Sequence, residues 1–126
     1  MNAWVRWVPA AMAMAACGGA DEQPDTGAVD DRPAICVDAP GVGWDNFGSG
    51  FVTQYCDACH AAGVADRHGA PAEVTFDDED QVWAWADRIV VRSVGVEATM
   101  PPQGGVDEDE RYLLEVWLTC DPRAAD

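Results

Sequence analysis

Large apolar residues recur every four positions between residues 44 and 55: Phe47, Phe51 and Tyr55, with Val52 beside them. A stripe of that period predicts a helix, and Asp45 is placed to be its N-cap. Gly48 and Gly50 fall inside it, each costing about 1 kcal/mol of helix propensity relative to Ala; such glycines mark a helix crossing. Residues 61–72 carry Gly, Ala, Asp and Pro without period and predict a loop. A second helix opens at Asp77-Asp78-Glu79-Asp80 and runs to about residue 94, with Val82, Trp85 and Ile89 as its stripe and Ala86 and Val90 alongside. Gly95 is its stop. A loop with Met100-Pro101-Pro102 and Gly104-Gly105 follows. Residues 107–110 then open a last helix carrying Tyr112, Leu113, Leu114, Val116, Trp117 and Leu118 before Cys120. No strand alternation and no internal repeat is present, so the predicted fold class is all-α.

The acidic runs belong to this helical plan. Asp77 with Asp80, and Asp107 with Glu110, have capping-box spacing. Arg88 and Arg92 come late in the middle helix, where its dipole favours cations. The acids therefore read as helix caps before they read as a metal or partner site.

The chain before residue 44 has a different texture. Arg6 is the only early charge, and residues 8–16 are apolar and small, as in a secretory signal. The run stops at Gly18-Gly19, short of the roughly 20 residues a membrane span needs. Met14-Ala15-Ala16-Cys17 resembles the lipobox of bacterial lipoproteins, which implies a lipid anchor on Cys17; an A-x-A cleavage at Ala13-Met14-Ala15 is the alternative. The expected organisation is a signal over 1–16, a flexible acidic linker over 17–43 and one domain over 44–126.

Charge narrows the partners. The sequence carries 23 Asp and Glu against seven basic residues, a net charge of −16, with no lysine. Nucleic acid is excluded as a partner by like-charge repulsion, and an electrostatically guided encounter needs a basic partner surface.

Cys56-Asp57-Ala58-Cys59-His60 has the C-x-x-C-H spacing of c-type haem attachment. Two thiols three positions apart at a helix end can each add to a haem vinyl group, and the adjacent imidazole then meets the iron from the same side. A thioredoxin-like redox pair needs a βαβ setting that is missing here. A structural zinc site needs four N or S ligands; Cys56 and Cys59 with His60 or His68 nearly supply them, but the usual second paired motif is missing. With Cys17 taken by lipid and Cys56 and Cys59 by haem, Cys36 and Cys120 remain. In an oxidising compartment such a pair closes into a disulfide; two buried free thiols are the alternative. Ser49 and Ser93 have no positioned base, and no catalytic constellation is present.

On these residues the stretch 44–121 resembles the class I cytochrome c family: a first helix, C-x-x-C-H, a loop, and a Met-Pro loop before a C-terminal helix. The resemblance implies a small helical domain wrapped around one covalently bound haem c. It also implies that Gly48 and Phe51 pack against Trp117, and that a proline carbonyl, here Pro71 in Arg67-His68-Gly69-Ala70-Pro71, accepts a hydrogen bond from the proximal His60. Met100, about 40 residues after His60 and the one methionine left after signal removal, matches the family's distal ligand. His68 is its competitor. The expected function is electron transfer by His–Met ligated haem in the periplasm, not enzymatic turnover, with redox proteins as donors and acceptors and a membrane tether at Cys17. A haem-bearing accessory or sensor subunit of an oxidoreductase complex is the alternative, and a metal-binding structural module a weaker third.

Overall fold

The computed structural model describes residues 31–125, so the expected signal over 1–16 and the expected lipidation site Cys17 lie outside the described residues. Among the described residues every regular element is helical, and the fold is all-α. Five α-helices follow in order: α1, Ser49–Tyr55; α2, Asp57–His60; α3, Glu79–Trp83; α4, Ala86–Ser93; and α5, Glu108–Cys120. No helix among them is long and apolar enough to cross a membrane.

The stretch expected as flexible linker carries local order over its second half. A 3-10 turn at Ala34–Cys36 buries Cys36, and a disulfide joins Cys36 to Cys120 at the end of α5.

The first helix begins differently from its expected cap. Gly43, not Asp45, is the capping position, because the side chain of Asn46 turns back to accept the Gly43 N–H at 2.8 Å and donates to the Gly41 carbonyl at 2.9 Å. The opening turn, Trp44–Gly48, is a wide π-turn with the Gly48 N–H donating to the Gly43 carbonyl, five residues back. Asp78 caps α3 in place of Asp77: its Oδ1 accepts from the Gln81 N–H at 2.9 Å, and the Gln81 side chain accepts from the Asp77 N–H. At α5 the expected cap is present, with Asp107 Oδ1 accepting from the Glu110 N–H at 2.8 Å.

The middle helix is two pieces rather than one. The chain tightens at Trp85, whose N–H bonds the Val82 carbonyl three residues back, and α4 restarts at Ala86. Trp83 and Trp85 thereby separate. Trp83 meets Trp117 edge to face at 6.0 Å, while Trp85 lines a cavity.

Trp117 is the centre of the core, with no exposed surface, ringed by Trp44, Phe47 and Trp83. Gly48 is where α5 crosses the first helix. A Cβ built there would stand 2.5–2.7 Å from three ring carbons of Trp117, whereas one at Gly50 meets nothing within 4 Å. The two glycines therefore predict opposite signs. Gly50→Ala should raise stability by about 1 kcal/mol through helix propensity alone. Gly48→Ala gains the same term but overpacks an indole with no room to move, at a cost of about 1–3 kcal/mol or more, and should lower stability on balance. Thermal melts of the two variants decide this; equal gains from both would remove the crossing as the reason for Gly48.

Candidate functional site

Between α2, α4 and the loops that follow them lies a cavity of about 800 Å³. Cofactor and small-molecule sites run roughly 300–1,000 Å³. Its walls are apolar, with Phe51, Phe76, Trp85 and Ile89, and onto it come Cys56, Cys59, His60, His68, Pro71 and Met100. The local fold explains how the first three converge. After α1 ends at Tyr55 the chain turns at Cys56, and the N–H groups of Cys59 and His60 both donate to the Cys56 carbonyl, at 3.1 and 2.9 Å. One tight turn thus gathers all three side chains. Both thiols are free. Burial, with smaller contributions from Asp57 and Cys59, pushes the Cys56 thiol up to about 12, so it stays protonated at neutral pH.

His60 is held on three sides. Its ring stacks on Phe76 at 4.7 Å, its carbonyl accepts the Phe76 N–H at 3.0 Å, and its Nδ1 lies 3.0 Å from the carbonyl oxygen of Val74. Val74, not Pro71, is therefore the imidazole's partner. The Pro71 carbonyl is taken by Arg67, which donates to it at 2.9 Å. A hydrogen bond at Nδ1 fixes the tautomer and leaves Nε2 with its lone pair to donate.

Arg67 has a larger part than its sequence position announced. Its guanidinium donates to the carbonyls of Ala61, Pro71 and Val74 at 2.9, 2.9 and 2.7 Å. It pins the 61–74 loop around itself, including the oxygen that meets His60. Asp77 ties the same loop to α3 by accepting the Ala62 N–H with both carboxylate oxygens at 3.0 Å.

His68 and Met100 also line the cavity, in different settings. His68 sits in a tight turn at φ 52°, with its N–H on Asp66 Oδ1. Its side chain is 66 % exposed and leans to Asp66 at 3.7 Å. Met100 is half-buried and anchored: its N–H donates to the Arg92 carbonyl at 2.8 Å. Of the two, Met100 is the more buried.

The cavity is also where the charge reverses. Among the described residues its lining holds three arginines, Arg67, Arg88 and Arg92, against one acid, Glu73, in a chain with 23 acids. Arg67 is committed to carbonyls, but Arg88 and Arg92, one turn apart on α4, are exposed, and Arg92 makes only a long contact of 3.4 Å to Thr99 Oγ1. Tyr55, which also lines the cavity, donates to Glu110 Oε2 at 2.5 Å, linking the end of α1 to the start of α5. That hydrogen bond, aided by burial, holds the Tyr55 hydroxyl above its usual range.

Among the described residues no set of three or more His, Cys, Asp and Glu side chains is arranged to hold a bare metal ion. No protein-family model, curated protein or solved structure matches the chain.

Proposed function

We propose that this protein is an electron carrier whose cavity holds one haem, joined covalently to Cys56 and Cys59 and bound at the iron by His60 and Met100. The observation that carries the reading is the convergence of those four residues on one apolar cavity of about 800 Å³. Each requirement of the group has a residue of the right chemistry. Two free thiols, three positions apart, are available for thioether bonds. His60, with Nδ1 engaged by the Val74 carbonyl, offers Nε2. Met100 offers a soft thioether, which favours reduced iron. Phe51, Phe76, Trp85 and Ile89 fit a porphyrin face, and the cations of Arg88 and Arg92 fit its two carboxylates. When bound, the group supplies one-electron exchange at its iron. The chain's own part would be to hold the group through Cys56, Cys59, His60 and Met100, exclude water with the apolar walls and meet the carboxylates with Arg88 and Arg92.

With those arginines neutralised, the remaining surface is strongly acidic, which favours redox partners with basic docking faces. A lipid at Cys17 would keep the carrier beside membrane-bound donors and acceptors on the periplasmic side.

The test is a spectrum and a gel. Protein expressed with its export segment should keep haem through denaturing electrophoresis, and its oxidised form should show the weak near-infrared sulfur-to-iron band of His–Met ligation. Met100→Ala should abolish that band, lower the potential and open the iron to small ligands. If His68→Ala changes the spectrum and Met100→Ala does not, the Met100 assignment is wrong and His68 is the sixth ligand. Haem that extracts into acidified organic solvent would end the covalent reading altogether.

A further inference from the structure

Arg111 is the one basic residue of α5 and stands in its first turn, directly after Glu108, Asp109 and Glu110. The helix dipole favours acids at that end and opposes a cation, so Arg111 is not there to stabilise α5. Nor is it paired with one of the abundant acids. Its Nη1 instead donates to two main-chain carbonyls outside its own helix: that of Ser93, the last residue of α4, in a short hydrogen bond, and that of Met100, at 3.3 Å. Ser93 is buried, and a carbonyl at a helix C-terminus has no partner within its own helix.

The neighbouring carbonyl completes the arrangement. Arg92 O accepts both the Thr99 N–H and the Met100 N–H, each at 2.8 Å. Met100 is thus gripped at its N–H by the end of α4 and at its carbonyl by a guanidinium reaching over from α5. Between them the 94–99 chain folds back under Gly95, at φ 79°. A methionine on a loop has three rotatable side-chain bonds and ordinarily little to hold its backbone. Here the backbone is fixed from two helices at once.

We infer that Arg111 is a positioning residue for the sixth iron ligand: by tying the Met100 carbonyl to the C-terminus of α4, it sets how firmly the thioether occupies the iron against competing ligands. This rests on the proposed ligation by Met100. A charge-assisted hydrogen bond to the loop is removed in Arg111→Gln, while the cavity walls and both thiols are left intact.

The experiment is imidazole titration of the oxidised holoprotein, read by loss of the near-infrared sulfur-to-iron band, with the alkaline midpoint of that band as a second measure. Arg111→Gln should bind imidazole roughly tenfold more tightly than wild type, the equivalent of one such hydrogen bond, and should lose the band at lower pH. Arg111→Lys, which keeps one donor and the charge, should fall between the two; it also decides the matter should Arg111→Gln not accumulate as holoprotein. Arg123→Gln removes an arginine paired to Glu79 and Asp80 on the outer surface and should leave both readouts unchanged, separating ligand positioning from a general loss of stability. A wild type that shows the band, with Arg111→Gln and Arg111→Lys indistinguishable from it, overturns the positioning role alone. A wild type without the band overturns the Met100 assignment, and this inference with it.

Discussion

Cys56→Ser combined with Cys59→Ser is expected to yield a chain without covalent haem and without a cooperative fold. The chemical half is direct, since a hydroxyl does not form the thioether. The folding half follows from the size of the cavity. A void left in a rigid core costs about 24 cal/mol per Å³, which for about 800 Å³ reaches roughly 19 kcal/mol as an upper limit. Water entering an open cleft lowers that figure, but a third of it already matches the 5–15 kcal/mol by which domains are stable at all. The walls concerned are also the core: Phe51 and Phe76 face the cavity and belong to the buried cluster around Trp117. A chain of this size has no second core to fall back on. The double variant should therefore lose near-ultraviolet circular dichroism and melt without a sharp transition, and any haem that it retains through His60 should extract into acidified organic solvent. A haem-free variant that melts as sharply as wild type would show that the polypeptide folds independently of its cavity's occupant.

What the sequence made legible, and what it hid, divides along physical lines. Helix α5 could be read because its cap is a side chain, Asp107, and its apolar residues keep period over thirteen positions. Both Gly48 and Gly50 read as marks of a helix crossing, but a Cβ at Gly48 alone of the two meets a neighbour, and that the neighbour is Trp117 was implied by the family resemblance rather than by the helix period. The break between α3 and α4 was hidden, because Val82, Trp85 and Ile89 keep one helical period straight through the turn at Trp85. The first cap was misplaced for a similar reason. Asp45 has the right side chain, but Asn46 reaches back to Gly43 and also bonds Gly41, a choice set by the path of the preceding loop. The cavity residues themselves were legible as types in a motif, whereas their supports were not. Val74 holds His60 through a carbonyl, and Arg67 and Arg111 act on carbonyls in turn. Main-chain oxygens carry no sequence signature, so the expectation settled on Pro71 when the oxygen that meets the ring belongs to Val74.

Replacing Cys36 and Cys120 together by serine is expected to cost up to about 4.5 kcal/mol of stability, in the chain-entropy treatment of a closed loop of 84 residues. For a domain of this size each kcal/mol moves the melting temperature by about 4–8 °C, so the drop should be roughly 20–35 °C at that limit. Two effects pull below it. A denatured chain that keeps its covalent haem is already partly compacted by the group it carries, and residual structure shrinks the entropy that a cross-link can remove. Against this, the bridge is the one covalent tie between the 31–43 segment and α5, and Cys36 is itself buried at 7 % exposure. Its loss loosens a segment otherwise held by contacts such as the Asn46 bond to the Gly41 carbonyl and the packing of Val42 on the core. The two accounts separate experimentally. If the bridge acts on the unfolded state, the whole domain melts lower and hydrogen exchange quickens in every helix, α2 and α4 included. If it only pins the segment, exchange quickens over 31–43 and at the end of α5, and the melting temperature falls by a few degrees. Cys36 and Cys120 do not line the cavity that holds Cys56, Cys59 and His60, so under the proposed ligation the near-infrared band should in either case persist at room temperature. Its disappearance in the double serine variant would mean that the far end of α5 reaches the iron ligands, through Arg111 and the Met100 loop, rather than merely steadying the fold.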